Sequence, residues 1–251
     1  MHLLALFTLK IELRRWRALG RRPVLWWRDD DAREPTEGLE RLLELACGLP
    51  LSLAVIPDGD RSALATRLTS SANVTVSQHG IDHANRAAPG QPASEYEPNT
   101  LRADKAQRIA EGRRALEAAG LEPVFYTPPW NQIDPDLPKV LPAAGYDRMS
   151  AYDGMPAVAG LIRVDCNLDV MRWKGGARFR GWGPTLRRLT RLLRESRRAK
   201  EFERPIGLLT HHLQQDSGAW GFLEWFLAFT RRRFTWRSYE ALAAAPASFR
   251  D

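Results

Sequence analysis

The stretch SQHGIDHAN, residues 77–85, places His79 and His83 four apart, with Gly80 and Asp82 between them, directly after an apolar run. Two imidazoles at this spacing are a metal-ligand pattern. Asp29, Asp30 and Asp31 follow the apolar run VLWW, and His211 and His212 follow PIGLLT. Packed carboxylates repel one another, and each costs desolvation free energy when buried. A bound cation removes both objections. One aspartate with two histidines is a three-ligand set that leaves positions open on a catalytic divalent ion. A second aspartate, adjacent but not a ligand, is then placed to take a proton from water. Each pattern alone has an ordinary explanation: a solvated loop, a chance surface pair, a structural histidine. Their joint placement, each after a separate apolar run, argues for chemistry. Gly80 fits that reading, because a residue without Cβ lets the chain turn sharply and aim both imidazoles at one point.

The elements that must position these groups are legible from periodicity. VLWWR (24–28), LSLAVIP (51–57), NVTVSQ (73–78), PVFYTPP (123–129), YDRMSAY, LIRVDCNLDV and PIGLLTHH (205–212) read as strands. TEGLERLLELACG reads as a helix with Thr36 as N-cap and Gly48 as its stop, and DRSALATRLTSS as another. A polar loop, RAAPGQPASEYEPNT, leads into a helix at about 101–119, and LPKVLPAAG is a short helix interrupted by proline. An Arg-rich helix and GFLEWFLAFTRRR flank the last long strand, and FTWRSYEALAAA closes the chain as a short strand and helix. This alternation predicts an α/β fold, a distorted (β/α) barrel of about seven parallel strands; an open doubly wound sheet uses the same pattern. In such folds functional groups gather at the carboxyl ends of strands. Of the five histidines, only His2 falls outside that placement.

With 251 residues, 44% hydrophobic, the chain can bury a full core, and one domain over 1–251 is the simplest organisation. Residues 1–20 are apolar but lack a basic n-region and a small-residue cleavage site, so a covering helix is expected there rather than a signal peptide. No run reaches the roughly 18 apolar residues of a membrane span. Cys47 and Cys166 form neither a zinc motif nor a disulfide framework, which suits a reducing cytoplasm. The net charge is +7 and mostly arginine. In LRRLTRLLRESRR the leucines at 186, 189, 192 and 193 follow a helical period, leaving the arginines on a solvated face. No nucleic-acid recognition motif accompanies them, so no nucleic-acid partner is expected; an attraction to acidic substrates or surfaces stays open.

In motif order the chain resembles the polysaccharide deacetylases, the NodB-homology class of carbohydrate esterases, over about residues 23–245. RDDDA resembles that family's paired-aspartate motif, His79-Gly80-Ile81-Asp82-His83 its His-x-x-x-His motif, Tyr126-Thr127-Pro128-Pro129-Trp130-Asn131 its proline-rich strand end, and Leu209-Thr210-His211 its Leu-x-His motif. An aspartate-and-tryptophan segment is matched loosely by Asp165, Asp169 and Trp173.

The resemblance implies roles. Asp31, His79 and His83 would hold a divalent metal, zinc first, with cobalt, manganese, nickel or iron as alternatives. Asp30 would be the general base, Asp29 and Asp30 being the other register of the pair. The Trp130 N–H would bind the oxyanion, and His211 would protonate the leaving amine, with His212 as fallback. Arg28, Asn131, Trp173 and His212 are the expected substrate contacts. The family's third motif carries an arginine that braces the catalytic aspartate; Thr127 stands in its place, and Arg28 is the candidate substitute. Ala32 and Asn131 replace two family glycines. The implied activity is removal of an N-acyl group, acetyl first, from a carbohydrate or other N-acylated small molecule. A small non-sugar amide as substrate, and a binding protein that keeps the pocket without the chemistry, are the alternatives. Trp130 and Trp173 are available to stack on a sugar face, whereas Trp26 and Trp27, adjacent on a strand, face opposite ways and belong to the core.

Overall fold

Nine residues, Val24–Ala32, are extended in β1, and all but Asp31 are buried. A strand covered on both faces needs partners on both edges and helices on one or both sides. The computed structural model, which describes residues 2–154 and 159–245, provides them. β1 pairs in parallel with β2 (Leu51–Val55) on one edge and with β10 (Pro205–Thr210) on the other. Beyond β2 follow β3 (Val74–His79), β4 (Pro123–Thr127), β5 (Arg148–Met149) and β6 (Ile162–Arg163); beyond β10 lies β7 (Leu168–Asp169). All these pairings are parallel.

β6 and β7 are two ends of one run of chain. The Cys166 N–H donates to the carbonyl of Ala151, just past β5, and the Asn167 N–H donates to Gly207 of β10. The stretch 162–169 therefore pairs with β5 at its start and β10 at its end, and the curled sheet meets itself there. With that stretch counted once, β1 to β5, 162–169 and β10 make seven parallel strands in a distorted barrel, as the sequence predicts. Gly207 makes the closure possible: a Cβ on it would lie 2.5 Å from Trp26 Nε1 and 2.7 Å from both the Asp165 carbonyl and Cys166 Cα.

Side chains alternate along β1. Val24 and Trp26 point into the barrel with Phe125, Val164, Cys166 and Leu209, while Leu25 and Trp27 point out under the helices. Both tryptophans are core. The amino end is plugged by β11 (Thr235–Trp236), which pairs with the start of β1, and α8 (Tyr239–Ala243), whose Tyr239 ring stacks 3.6 Å from Phe125.

The outer layer comprises α1 (His2–Ala18), α2 (Glu37–Leu45), α3 (Ser62–Leu68), α4 (Arg102–Ala118), α5 (Leu137–Ala143), α6 (Trp182–Ala199) and α7 (Ser217–Thr230). Thr36 caps α2 as expected, accepting from the Leu39 N–H. On α6 the leucines at 186, 189, 192 and 193 are buried, as their period requires. α1 lies along α6: Trp16 Nε1 donates to the Leu193 carbonyl, and buried Glu12 sits among Arg15, Arg194 and Arg197. The arginines of α6 are thus not one solvated face. One element has no counterpart in the sequence reading: an antiparallel hairpin, β8 (Met171–Arg172) with β9 (Arg178–Phe179), at the carboxyl end of the barrel. No helix among the described residues is long and apolar enough to cross a membrane.

Candidate active site

The carboxyl end of β1 departs from regular extended geometry. Strict alternation would aim Asp30 inward and both Asp29 and Asp31 outward. The register against β2 shifts between Asp29 and Ala32, and Asp31 has φ +76°. This bulge turns Asp31 back to the side of Asp30, as bulges beside active sites do. A left-handed conformation at a residue other than glycine costs of order 1–3 kcal/mol and persists only where the surroundings enforce it. Four of the six such residues among those described, Asp31, His83, Trp130 and Asn131, surround this one rim.

Asp31 Oδ1 lies 3.2 Å from His79 Nε2 and 3.4 Å from His83 Nε2. The three ligand atoms are within 4.8 Å of one another. Asp31 Oδ1 is buried without a well-formed hydrogen bond, while Oδ2 accepts from Gln214 Nε2 at 3.2 Å. His79 Nδ1 is 3.1 Å from the Thr127 carbonyl, which only accepts and so fixes that nitrogen as the N–H, leaving Nε2 as the atom that faces Asp31 and would bind a cation. A buried carboxylate oxygen with no well-formed hydrogen bond, facing two imidazole nitrogens, fits a divalent cation.

The loop between the histidines is held by Glu95, a residue the sequence reading leaves inside the polar loop. Its carboxylate accepts from the N–H groups of Ile81, Asp82 and His83 at 2.5–3.0 Å. Burial pushes the Glu95 carboxyl up, and these backbone donors oppose that rise. Gly80, at φ +64°, lies so close to Pro129 and the Glu95 carboxylate that a Cβ would collide with both. Nothing local in the sequence marks Glu95 as the clamp, because its partners are backbone N–H groups 12 to 14 residues earlier.

Asp30 is buried and held by Arg28 through both oxygens, Nε to Oδ1 at 2.7 Å and Nη2 to Oδ2 at 2.9 Å. Burial favours the neutral acid, but the Arg28 guanidinium, with His79 and His211, holds the carboxyl below its ordinary range. His211 Nε2 stands 3.9 Å from Asp30 Oδ2. The His211 ring meets Trp173 edge to face at 4.5 Å, and Trp173 Nε1 donates to Asp169 Oδ2 at 3.0 Å. The Asp169 carboxyl is pushed up by burial, against the pull of His211 and of its hydrogen bonds. The hairpin β8–β9 thus completes the rim. Across it, the Trp130 ring lies 4.5 Å from His83. Asn131 and Gln132 return their N–H groups to the carbonyls of Pro128 and Pro129, whereas no described residue accepts from the Trp130 N–H.

Two expected substrate contacts are corrected. Arg28 is fully buried, and its guanidinium is consumed by Asp30, Ser150 Oγ at 2.6 Å, the Ala151 carbonyl and Asn131 Oδ1 at 2.6 Å. It lies behind Asp30 and has no face toward a ligand. His212 is also buried, because consecutive residues at a strand end diverge: its Nδ1 meets Asp29 Oδ1 at 2.5 Å beneath α2. Asp29 additionally accepts from Thr210 Oγ1 at 2.6 Å, so Asp29 and His212 form a pair on the outer side of the sheet. Asn131 keeps a place on the rim, with its oxygen committed to Arg28, and Trp173 is partly exposed there.

No family model and no curated protein sequence matches the chain. Solved structures do. A Mycobacterium smegmatis protein assigned as a polysaccharide deacetylase aligns with TM-score 0.66 at 16% identity, over 89% of this chain and 90% of that one. A family 4 acetyl xylan esterase from Clostridium thermocellum, in complex with a cobalt ion, gives 0.52 at 14% identity, over 87% and 89%. A family 4 pseudoenzyme from Bacillus anthracis gives 0.55 at 14% identity, over 89% and 66%. The fold is that of the polysaccharide deacetylases, a curled parallel sheet wrapped by helices.

Proposed function

We propose that the protein is a metal-dependent hydrolase that removes an N-acyl group, acetyl first, from a carbohydrate-type substrate. The observation that carries this reading is the placement of the Arg28-held Asp30 between His211 and the Asp31–His79–His83 cluster on one rim. A divalent ion, zinc first, held by Asp31, His79 and His83, would supply Lewis acidity toward a carbonyl oxygen and toward water. Asp30, ionised and oriented by Arg28, takes the proton of the attacking water. The Trp130 N–H donates to the oxygen that gains negative charge as the carbonyl carbon becomes tetrahedral. His211, beside the carboxylate of Asp169, gives its proton to the amine as the carbon–nitrogen bond breaks. The products are a carboxylate and a free amine. Both cysteines are free thiols, in keeping with a reducing compartment as the site of action.

One observation favours the silent alternative. Both Asp30 oxygens are engaged by Arg28, which makes the carboxylate a weaker base. The test is acetate release by zinc-loaded or cobalt-loaded protein from N-acetylated sugars and small amides. Release that disappears in Asp30→Asn while about one equivalent of metal stays bound supports the hydrolase. Full metal occupancy with no release from any N-acyl compound leaves the binding protein standing.

A further inference from the structure

Beside the candidate active site lies a cleft of about 810 Å³, lined by Trp130, Asn131, Asp169 and Trp173 on the catalytic side. Its far wall is Arg180, Arg187, Arg188 and Arg191. The sequence period assigns the arginines of α6 to solvent, but the helix divides most of its basic residues between two tasks. Arg194 and Arg197 face Glu12 and fasten α1, Arg187, Arg188 and Arg191 turn toward the cleft, and Arg198 belongs to neither group.

The guanidinium groups of the cleft are held more by carbonyls than by acids. Arg180 donates to the carbonyls of Asp169 at 3.0 Å and Met171 at 2.8 Å. Arg188 donates to the Asn167 carbonyl at 3.1 Å and reaches Asp153 at 3.5 Å. Carbonyl acceptors orient a guanidinium without cancelling its charge. Arg187 has no hydrogen bond or ion pair with any described residue, and Arg191 meets Glu195 only at 4.0 Å; both are exposed. The single carboxylate in the lining, Asp169, is occupied by the Met171 N–H and Trp173 Nε1. Arg187 and Arg191 are four apart on one helix face, where like charges cost a few tenths of a kcal/mol. An anion between them would turn that cost into a gain.

We propose that this cleft binds the phosphate or diphosphate group of an N-acyl amino sugar, so that the substrate is a sugar phosphate ester rather than a neutral polysaccharide. The inference rests on the hydrolase reading above. Several planar, multi-donor guanidiniums suit the several oxygens of a phosphate better than a lone carboxylate. Trp130 and Trp173 lie between the arginine wall and the metal cluster, where a sugar ring would bridge the two. The diphosphate comes from a nucleotide-linked or a lipid-linked sugar; the recognised chemistry is the same.

The test has two arms on metal-loaded, full-length protein. In the first, glucose 1-phosphate, which carries no acyl group, is titrated by calorimetry against methyl glucoside as the neutral control. Binding of the phosphate alone, weakened at least about tenfold in Arg187→Ala/Arg191→Ala and by added salt, is the expected result, since charge-assisted contacts are lost. Arg198→Ala, on the same helix away from the cleft, leaves the affinity unchanged. Equal affinity in wild type and the double variant, or no binding, overturns the inference. In the second arm, acetate release is compared for UDP-N-acetylglucosamine, a prenyl-diphosphate-linked N-acetylglucosamine in detergent, and chitotetraose. A kcat/KM at least tenfold higher for one diphosphate sugar, lost in the double variant through KM, supports the proposal and identifies the source. Chitotetraose turned over as well as both overturns it. Arginine-dependent phosphate binding without hydrolysis of any compound sustains the anion site and overturns the hydrolase instead.

Discussion

Arg28 and Asp30 stand two residues apart on one strand and on one face of it, and the guanidinium closes on both carboxylate oxygens at 2.7 and 2.9 Å. The brace comes from the same strand as the group it holds, so the pair is set by strand geometry before any loop is placed. Ser150 and Asn131 occupy the remaining donors. Arg28→Ala strands a buried carboxylate and is expected to cost about 3–5 kcal/mol of stability, the usual consequence of removing one partner of a buried pair. Arg28→Lys keeps the charge but not the two parallel contacts, so its kcat falls while metal content stays at the wild-type level. Denaturant unfolding and metal analysis on both variants check this.

The bulge assigns different places to Asp29 and Asp31, and substitution separates them. Asp31→Asn is expected to lose the bound metal. Asp29→Asn is expected to keep it and to lose stability instead, because Asp29 faces His212 and Thr210 rather than the cluster. Metal stoichiometry on the folded fraction of each variant decides; loss of metal in Asp29→Asn with retention in Asp31→Asn would overturn this placement.

Gly80 and Glu95 act on the histidines without touching a ligand atom. Gly80→Ala drives a methyl into Pro129 and Glu95, and Glu95→Gln weakens the grip on three N–H groups. Supporting residues of a metal site cost about 10–100-fold in affinity when changed. Competition with a coloured chelator should give that loss for both variants, and unchanged affinity in both would remove Glu95 from the site.

Metal bound only by the folded chain stabilises it by mass action, by about 2.7 kcal/mol when free metal is a hundredfold above Kd. For a chain of this size that corresponds to roughly 5–10 °C in Tm. Chelator is expected to remove this increment from the wild type and to leave His79→Ala unmoved in a thermal scan.

Glu12 links α1 to α6 through Arg197 and Arg194, and pairs with Arg15 of its own helix. Burial raises its carboxyl, but the hydrogen bond and charge of Arg197, followed by Arg15, hold it below the ordinary value. A depressed folded pKa stabilises above the unfolded pKa, and that contribution is lost as pH falls through the folded value. Glu12→Gln is expected to be less stable than wild type by about 1–3 kcal/mol near neutral pH. The difference narrows below about pH 4, and a gap in Tm that stays constant from pH 7 to pH 3 would contradict this.

The strands, the helices and the identity of the rim were legible because they rest on local patterns. VLWWR, NVTVSQ and PIGLLT carry their apolar periodicity, and the chemistry-bearing residues follow each run directly. What was not legible depends on partners distant in sequence. Nothing in RDDD says that the third aspartate turns back through a bulge, since the shift is defined against β2. Arg28 was readable as the substitute for the bracing arginine, but its complete burial behind Asp30 depends on Ser150 and Asn131, which are distant in sequence. LIRVDCNLDV reads as one strand, and its division between β5 and β10 follows only from where the sheet meets itself. The Leu-x-His motif favours His211 over His212, but only strand alternation shows that one goes to Asp30 and the other to Asp29. The hairpin at 171–179 carries too few apolar residues to announce itself, and α6 hides its cleft-facing arginines among identical neighbours.

The pairing of β1 with β10 joins Val24 to Pro205. On a ribosome adding roughly 5–20 residues per second, the second strand follows the first by something like 10–35 s. Through that interval one long edge of a strand that is apolar on both faces has no partner, and the aspartates at its end have neither His211 nor His212 beside them. An edge of that kind invites pairing with other chains. Yield of this protein should therefore depend on chaperone supply and translation speed more than its finished stability would suggest.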